Sequence, residues 1–239
     1  MKHFLIATIA AVFLTWLTIW YLSDQVAIEE KAARETAYLA QFKVMKPRAE
    51  KGEAKAQYII ARLYHEGKGV GKNLKAAARL YTKAADKGHA SASARLGSMY
   101  EKGEGVKKDV FKAIEWYRLA AVLGGNADAQ FALGQVYFNG RGVQTDYAES
   151  FAWNLKAARQ GHGAAQFLIG SMYQDGWSVK SDYPEAYMWY TLAIPNAEQA
   201  KAFDPIYDPV NARKKLMTRM NKFQISQGER KAKEYKGRR

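Results

Sequence analysis

The chain has 239 residues and a formal net charge of +14, with 48% apolar residues, 5 prolines and no cysteine. That composition excludes a disordered chain, and the missing cysteine excludes a disulfide framework, a thiolate nucleophile, a cysteine-based zinc site and a lipid-modified cysteine anchor. The excess of positive charge leaves open an acidic partner.

The N-terminus comes first. Phe4 to Leu22 is apolar throughout except for Thr8, Thr15 and Thr18, and it carries no charge. Its 19 residues span about 28 Å as a helix, close to the ~30 Å hydrocarbon core of a bilayer. Residues 1–23 therefore read as a transmembrane anchor. A cleaved signal followed by a soluble periplasmic protein is the alternative. It fits less well, because cleavage after Ala27 or Ser23 would place Gln25 or Tyr21 where a small residue is required. Lys2 and the free amine precede the span, which favours a cytoplasmic N-terminus and a chain exposed on the periplasmic side of the inner membrane, although Lys31 and Arg34 also lie within the window of the positive-inside rule. Residues 24–53 read as a juxtamembrane capping helix, interrupted or kinked at Pro47.

From residue 54 the sequence repeats. Valines at 70, 106, 143 and 179 close four Gly-x-Gly-Val segments, the last degenerate, at spacings of 36, 37 and 36. Such a period indicates helix pairs that cannot bury their apolar faces alone and stack into a solenoid. Units fall at 54–89, 90–126, 127–162 and 163–194.

Each first helix begins with a small residue (Ala56, Ala92, Ala129, Ala165), then carries aliphatic, very small, apolar and aromatic columns at helical spacing. The very small column is Ala61, Gly97, Gly134 and Gly170, where another helix can approach closely. Gly67, Gly103, Gly140 and Gly176 sit where a left-handed C-cap is expected, and Asn73, Asp109, Asp146 and Asp182 where the next helix needs an N-cap. Second helices carry a large column, Leu80, Trp116, Trp153 and Trp189, between alanines.

The order Ala-x-Ala-Gln-x-x-Leu-Gly-x-x-Tyr, Gly-x-Gly-Val-x-x-Asp, Ala-x-x-Trp-x-x-x-Ala-Ala resembles the Sel-1-like repeat, most fully in the third unit from Ala127 to Gly161. Leu80, in place of tryptophan, and Trp177-Ser178, in the fourth loop, depart from it. The resemblance implies an all-α, right-handed α/α solenoid of the tetratricopeptide kind, and an adaptor or assembly role in signalling or cell-envelope complexes. Some bacterial relatives are cysteine-rich and linked to β-lactam binding, a link without basis in a chain lacking cysteine.

After Pro195, residues 195–239 read as a helical cap and basic tail, with helices near Val210–Met220 and Gln224–Tyr235. A polar outer helix is what a terminal repeat needs for solubility.

Motifs for chemistry are weak. Gly67 to Lys72 superficially resembles a phosphate loop, but it follows a helix, has one residue too few and ends before Asn73 where Ser or Thr is needed. His65-Glu66 lacks the second histidine of a zincin pair, and His89 and His162 sit at repeat turns. The chain reads as a non-enzyme without cofactor or metal, whose partner is a protein.

Two surfaces are expected to bind. Subtracting the core columns from the first helices leaves a strip on the concave wall: Tyr58, Arg62, His65, Ser98, Phe131, Gln135, Phe138, Phe167, Ser171 and Gln174. The competing reading places Tyr58, Phe131 and Phe167 in contacts with adjacent repeats. Separately, residues 54–89 and 195–239 carry net charges of +6 and +7, nearly all of the excess. Arg213, Lys214, Lys215, Lys231 and Lys233 are candidates for contact with an anionic lipid surface or polysaccharide, and nucleic acid is not expected. The competing reading is a solvated helix surface.

Overall fold

The computed structural model describes residues 2–237, with side chains at residue 16 and from 19 onward. The predicted span 4–22 lies outside the described side chains except at those positions. Among the described residues no helix is long and apolar enough to cross a membrane.

All regular structure among the described residues is helical: α1 (Lys2–Glu50), α2 (Ala54–Glu66), α3 (Leu74–Ala85), α4 (Ala90–Lys102), α5 (Val110–Leu123), α6 (Ala127–Asn139), α7 (Tyr147–Arg159), α8 (Gly163–Asp175), α9 (Tyr183–Ala193), α10 (Ala197–Phe203), α11 (Pro209–Met217) and α12 (Lys222–Gly237), with a 3-10 turn at Ile194–Asn196. The chain divides into two compact units, Met1–Leu80 and Tyr81–Arg239.

In the first unit α1 runs through Pro47 as one helix, so of the expected interruption or kink the interruption is absent. Proline removes one N–H from the helical ladder, three residues from the end of α1, and the last turn of that helix packs on α2. Ala49 of α1 joins Ala56, Ile60 and Leu63 in a core flanked by Phe42, Met45 and Tyr64. The Phe42 and Tyr64 rings meet edge to face at 5.5 Å. The backbone N–H of Gly69 donates to Glu35 at 2.9 Å. A Cβ on Gly69 would fall 2.5 Å from the Leu39 nitrogen, so only glycine lets the repeat loop close on α1.

In the second unit α4–α5, α6–α7 and α8–α9 form three helix pairs, each packed on the next through α5–α6 and α7–α8. Caps lie where the local sequence places them. Gly103, Gly140 and Gly176 close α4, α6 and α8 in the left-handed region, and Asp109, Asp146 and Asp182 accept N–H bonds at the starts of α5, α7 and α9. The turn histidines are caps as well: Nδ1 of His89 accepts from Ala92 N–H at 3.3 Å and Nδ1 of His162 from Ala165 N–H at 3.2 Å.

The glutamine of the repeat motif ties one helix to the previous one. Gln57, Gln130 and Gln166 are buried, and each donates its amide to a carbonyl near the end of the preceding helix: Ala49, Ala121 and Ala158. The Ala49 and Ala158 carbonyls also accept the N–H of Gly52 and Gly161, so the glutamine adds a second bond there, and in each case it joins the start of one helix to the end of the one before.

The small columns are buried as expected, but what faces them is not the tryptophan column. A Cβ on Gly97 would meet the Tyr117 ring at 2.7 Å, on Gly134 the Asn154 amide at 2.2 Å and on Gly170 the Tyr190 ring at 2.7 Å. The residue one position after each tryptophan fills the notch. Trp116 and Trp153 stay half-buried, while Trp189 is buried beside Tyr235. One residue is 100° on a helix, enough to move a side chain from one neighbour to another.

Beyond Ala193 the chain folds back on its own array. α11 and α12 pack on α9, capping the end of the stack, and α10, unanticipated from sequence, packs on α8.

Candidate partner-binding surface

The predicted strip divides into covered and open parts. In the first unit Tyr58, Arg62 and His65 on α2 are half-buried. In the second unit Ser98 is half-buried on α4, and the Tyr117 hydroxyl nearby donates to Glu101 at 2.8 Å. Burial and the Glu101 carboxylate raise the Tyr117 phenol well above its ordinary value.

Phe131, Gln135 and Phe167 are not open wall, a correction to the sequence reading. They are 2%, 5% and 7% exposed, and what covers them is the chain's own segment 197–208. The Phe203 ring, at the end of α10, meets Phe131 at 4.6 Å, and Phe131 stacks on His162 at 4.5 Å from the other side. Tyr207, in the turn before α11, stacks on Phe167 at 4.8 Å and lies 3.4 Å, hydroxyl to amide, from Gln135. Burial raises the Tyr207 phenol. The physical reason is simple: a row of aromatic side chains along the first helices is more favourably covered than hydrated, and the chain has matching aromatics within reach.

Ser171 and Gln174 are half-buried in a short network. The Ser171 hydroxyl is 3.1 Å from the Tyr190 hydroxyl, which donates to Gln174 at 3.3 Å. Burial pushes the Tyr190 phenol up to about 12.

Phe138 alone of the third unit's strip reaches an open surface. It lies in the last turn of α6, where its ring is 5.4 Å from Tyr147, at the start of α7, and 5.4 Å from Trp177, in the loop after α8. Tyr147 and Trp177 face each other at 6.5 Å and remain 47% and 40% exposed. The three rings form an aromatic patch along the loop edge of two repeats. The loop pays for this placement in backbone strain: Ser178 adopts φ 63°, a left-handed conformation that Gly69, Gly105 and Gly142 fill in the other repeats.

Sequence reasoning reached Phe138 but missed Tyr147 and Trp177, although the Trp177-Ser178 departure was the visible signal. It also missed Phe203 and Tyr207, whose i, i+4 aromatic spacing lay in a segment read as loop.

The basic candidates also divide. The Arg213 guanidinium sits 5.6 Å over the Tyr187 ring and donates to Thr191 at 3.4 Å. Lys231 pairs with Glu185 at 2.5 Å, and that hydrogen bond raises its ammonium above the ordinary value. Lys231 is thus paired with a carboxylate, while Arg213 is held by a ring and a hydroxyl and, among the described residues, pairs with no carboxylate. Lys214, Lys215 and Lys233 are exposed. Among the described residues no group of His, Asp and Glu could hold a metal ion.

The family model of the Sel1 repeat matches residues 54–89, 90–124, 127–162 and 163–194. Among solved structures, c5321, a protective antigen of uropathogenic Escherichia coli strains displaying an SLR fold, is 34% identical with a TM-score of 0.69; the match covers 81% of this chain and 40% of that one. A Sel1 repeat protein from Oxalobacter formigenes is 37% identical with a TM-score of 0.57, over 61% of this chain and 58% of that one. The matches thus cover less than two thirds of either relative's length. No curated protein matches the chain.

Proposed function

Because the chain belongs to the Sel1 repeat family, we propose that it is a membrane-tethered scaffold that holds a protein partner at the aromatic patch of Phe138, Tyr147 and Trp177 and serves assembly or regulation of a cell-envelope complex. Sel1 repeats generally mediate protein–protein interaction. The observation that carries the specific reading is the exposed, strained placement of Trp177. A side chain with the largest apolar surface is held at the rim by a backbone conformation that serine adopts at a cost, and its two neighbours are aromatic. Tryptophan and tyrosine are the residues in which interface hot spots concentrate, and backbone strain is retained where function uses it. Membrane tethering rests on the uncharged run 4–22 and on Trp16, Ile19, Trp20 and Leu22, which are 61% to 71% exposed along α1. The charge of Lys2 ahead of the run supports an inner-membrane chain with its repeats on the periplasmic side.

A photo-crosslinking residue at position 177 in the full chain tests the proposal, with the same residue at Phe111, an exposed position on α5, as control. The expected result is a discrete protein adduct at 177, recovered with the membrane fraction and lost when Phe138→Ala is added at unchanged helicity. Equal labelling at both positions, or survival of the adduct in the Phe138→Ala chain, would overturn the binding site. Recovery of N-terminally trimmed chain in the soluble fraction would overturn the tether.

A further inference from the structure

We infer that the outer surface of α11 and the first turn of α12 docks on an anionic lipid surface. From Pro209 to Gly228 the chain carries Arg213, Lys214, Lys215, Arg219 and Lys222 and no carboxylate. α11 turns Pro209 and Leu216 inward, where both are buried, and packs on α9. Its outer face is therefore fixed: Val210, Lys214 and Met217 follow one another at i, i+4 and i+7 along one exposed stripe, and Lys215 is exposed on the other flank of the helix. Lys222 and Phe223, at the start of α12, are exposed as well.

The composition selects the partner. Phe223 is 69% exposed, Val210 47% and Met217 37%. These apolar side chains share one short stretch with the lysines and with no carboxylate. An acidic polymer would neutralise the lysines and leave Phe223 and Met217 in water. At the interface of an anionic bilayer the ammonium groups meet headgroup phosphates while the apolar side chains enter the acyl boundary, so both halves of the surface are satisfied at once. This inference goes beyond the scaffold reading and does not depend on the partner held at Trp177. The surface differs from the one expected from sequence: Lys231 pairs with Glu185, the Arg213 and Arg219 guanidinium groups lie over the Tyr187 and Tyr183 rings, and Lys222 and Phe223 enter.

The chain has no cysteine, so a single nitroxide label can be placed in the full chain through Met217→Cys, or through Phe111→Cys as control. Collision rates with oxygen and with a water-soluble nickel chelate are read with vesicles of phosphatidylcholine, with and without phosphatidylglycerol. The expected result is a rise in oxygen collisions and a fall in nickel collisions at position 217 only, and only with phosphatidylglycerol. Lys214→Gln, Lys215→Gln and Lys222→Gln together should lower this partitioning roughly tenfold or more, and Phe223→Ser should also weaken it. The readout is local to α11, so it reports this contact whether or not residues 4–22 hold the chain. Unchanged collisions at 217 in anionic vesicles, or a shift indifferent to the lysine substitutions, would overturn the inference. A fall in nickel collisions with an acidic polysaccharide, absent with vesicles, would overturn it in favour of a polymer.

Discussion

Phe167 of α8 stacks on Tyr207 with ring centroids 4.8 Å apart and planes 22° from parallel, and this contact covers the first helix of the last repeat. Tyr207 itself is joined to the array by two kinds of bond, the ring stack and the longer contact of its hydroxyl with Gln135, and the two can be separated. Tyr207→Phe removes only the hydroxyl; at 3.4 Å its bond is weak, so the loss should be about 0.5 kcal/mol. Tyr207→Ala removes the ring as well, and for a partly buried aromatic the loss should be about 2 kcal/mol. Denaturant unfolding measures both. Equal losses would mean that the ring stack contributes nothing to holding the segment.

Gly134→Ala should destabilise the chain although alanine is the better helix former. The added methyl would lie 2.2 Å from the Asn154 amide nitrogen, and Asn154 is fully buried with that nitrogen bonded to the Ser150 carbonyl at 2.8 Å, so it cannot swing away freely. The propensity gain of about 1 kcal/mol is opposed by overpacking of about 1–3 kcal/mol, and a net loss is expected. Adding Asn154→Ala should recover part of it. A melting temperature unchanged by Gly134→Ala would place the helix pair at a different register.

His162 couples stability to pH. Its ring is buried between α6 and α8, stacked on Phe131, with Nδ1 accepting the Ala165 N–H, and burial lowers its pKa against the opposing pull of Asp128. The folded state therefore holds the neutral ring while the unfolded chain takes up a proton at the ordinary value near 6.5. Stability from this group is complete above that value, falls as pH drops below it, and stops falling once pH is below the depressed folded value. Asn126 performs the same capping in the preceding repeat. His162→Asn should consequently keep the cap while flattening the slope of stability between pH 7 and 5. An unchanged slope in that variant would assign the pH dependence to other groups.

Ser178→Gly should stabilise the fourth repeat. Serine at φ 63° bears a left-handed penalty of about 1–2 kcal/mol, and glycine returns part of it as unfolded-chain entropy, leaving a gain of about 1 kcal/mol or less. Because Trp177 stays in place, a stabilised chain that also crosslinks less at 177 would identify the strained backbone itself as part of the binding geometry. A loss of stability would show that the Ser178 side chain makes up for its strain.

The repeat period, the helix pairs, the capping residues and the small columns were all legible in the sequence, because each depends on groups within a few positions of one another. A cap needs a side chain three residues from an unpaired N–H, and a stacked helix needs a small residue at the same place in each unit. The tertiary structure alone decided which large side chain fills the notch at Gly97, Gly134 and Gly170, since neighbouring positions on a helix differ by 100° and both carried large or polar groups. It alone decided that Phe131, Gln135 and Phe167 are covered while Phe138 stays half-buried beside the exposed Tyr147 and Trp177. Gln135 and Tyr207 meet across 72 positions, and no periodicity links them. A repeat pattern describes what each unit shares with the next. The covering segment lies outside the repeats, and only the path of the chain after α9 brings it onto the wall.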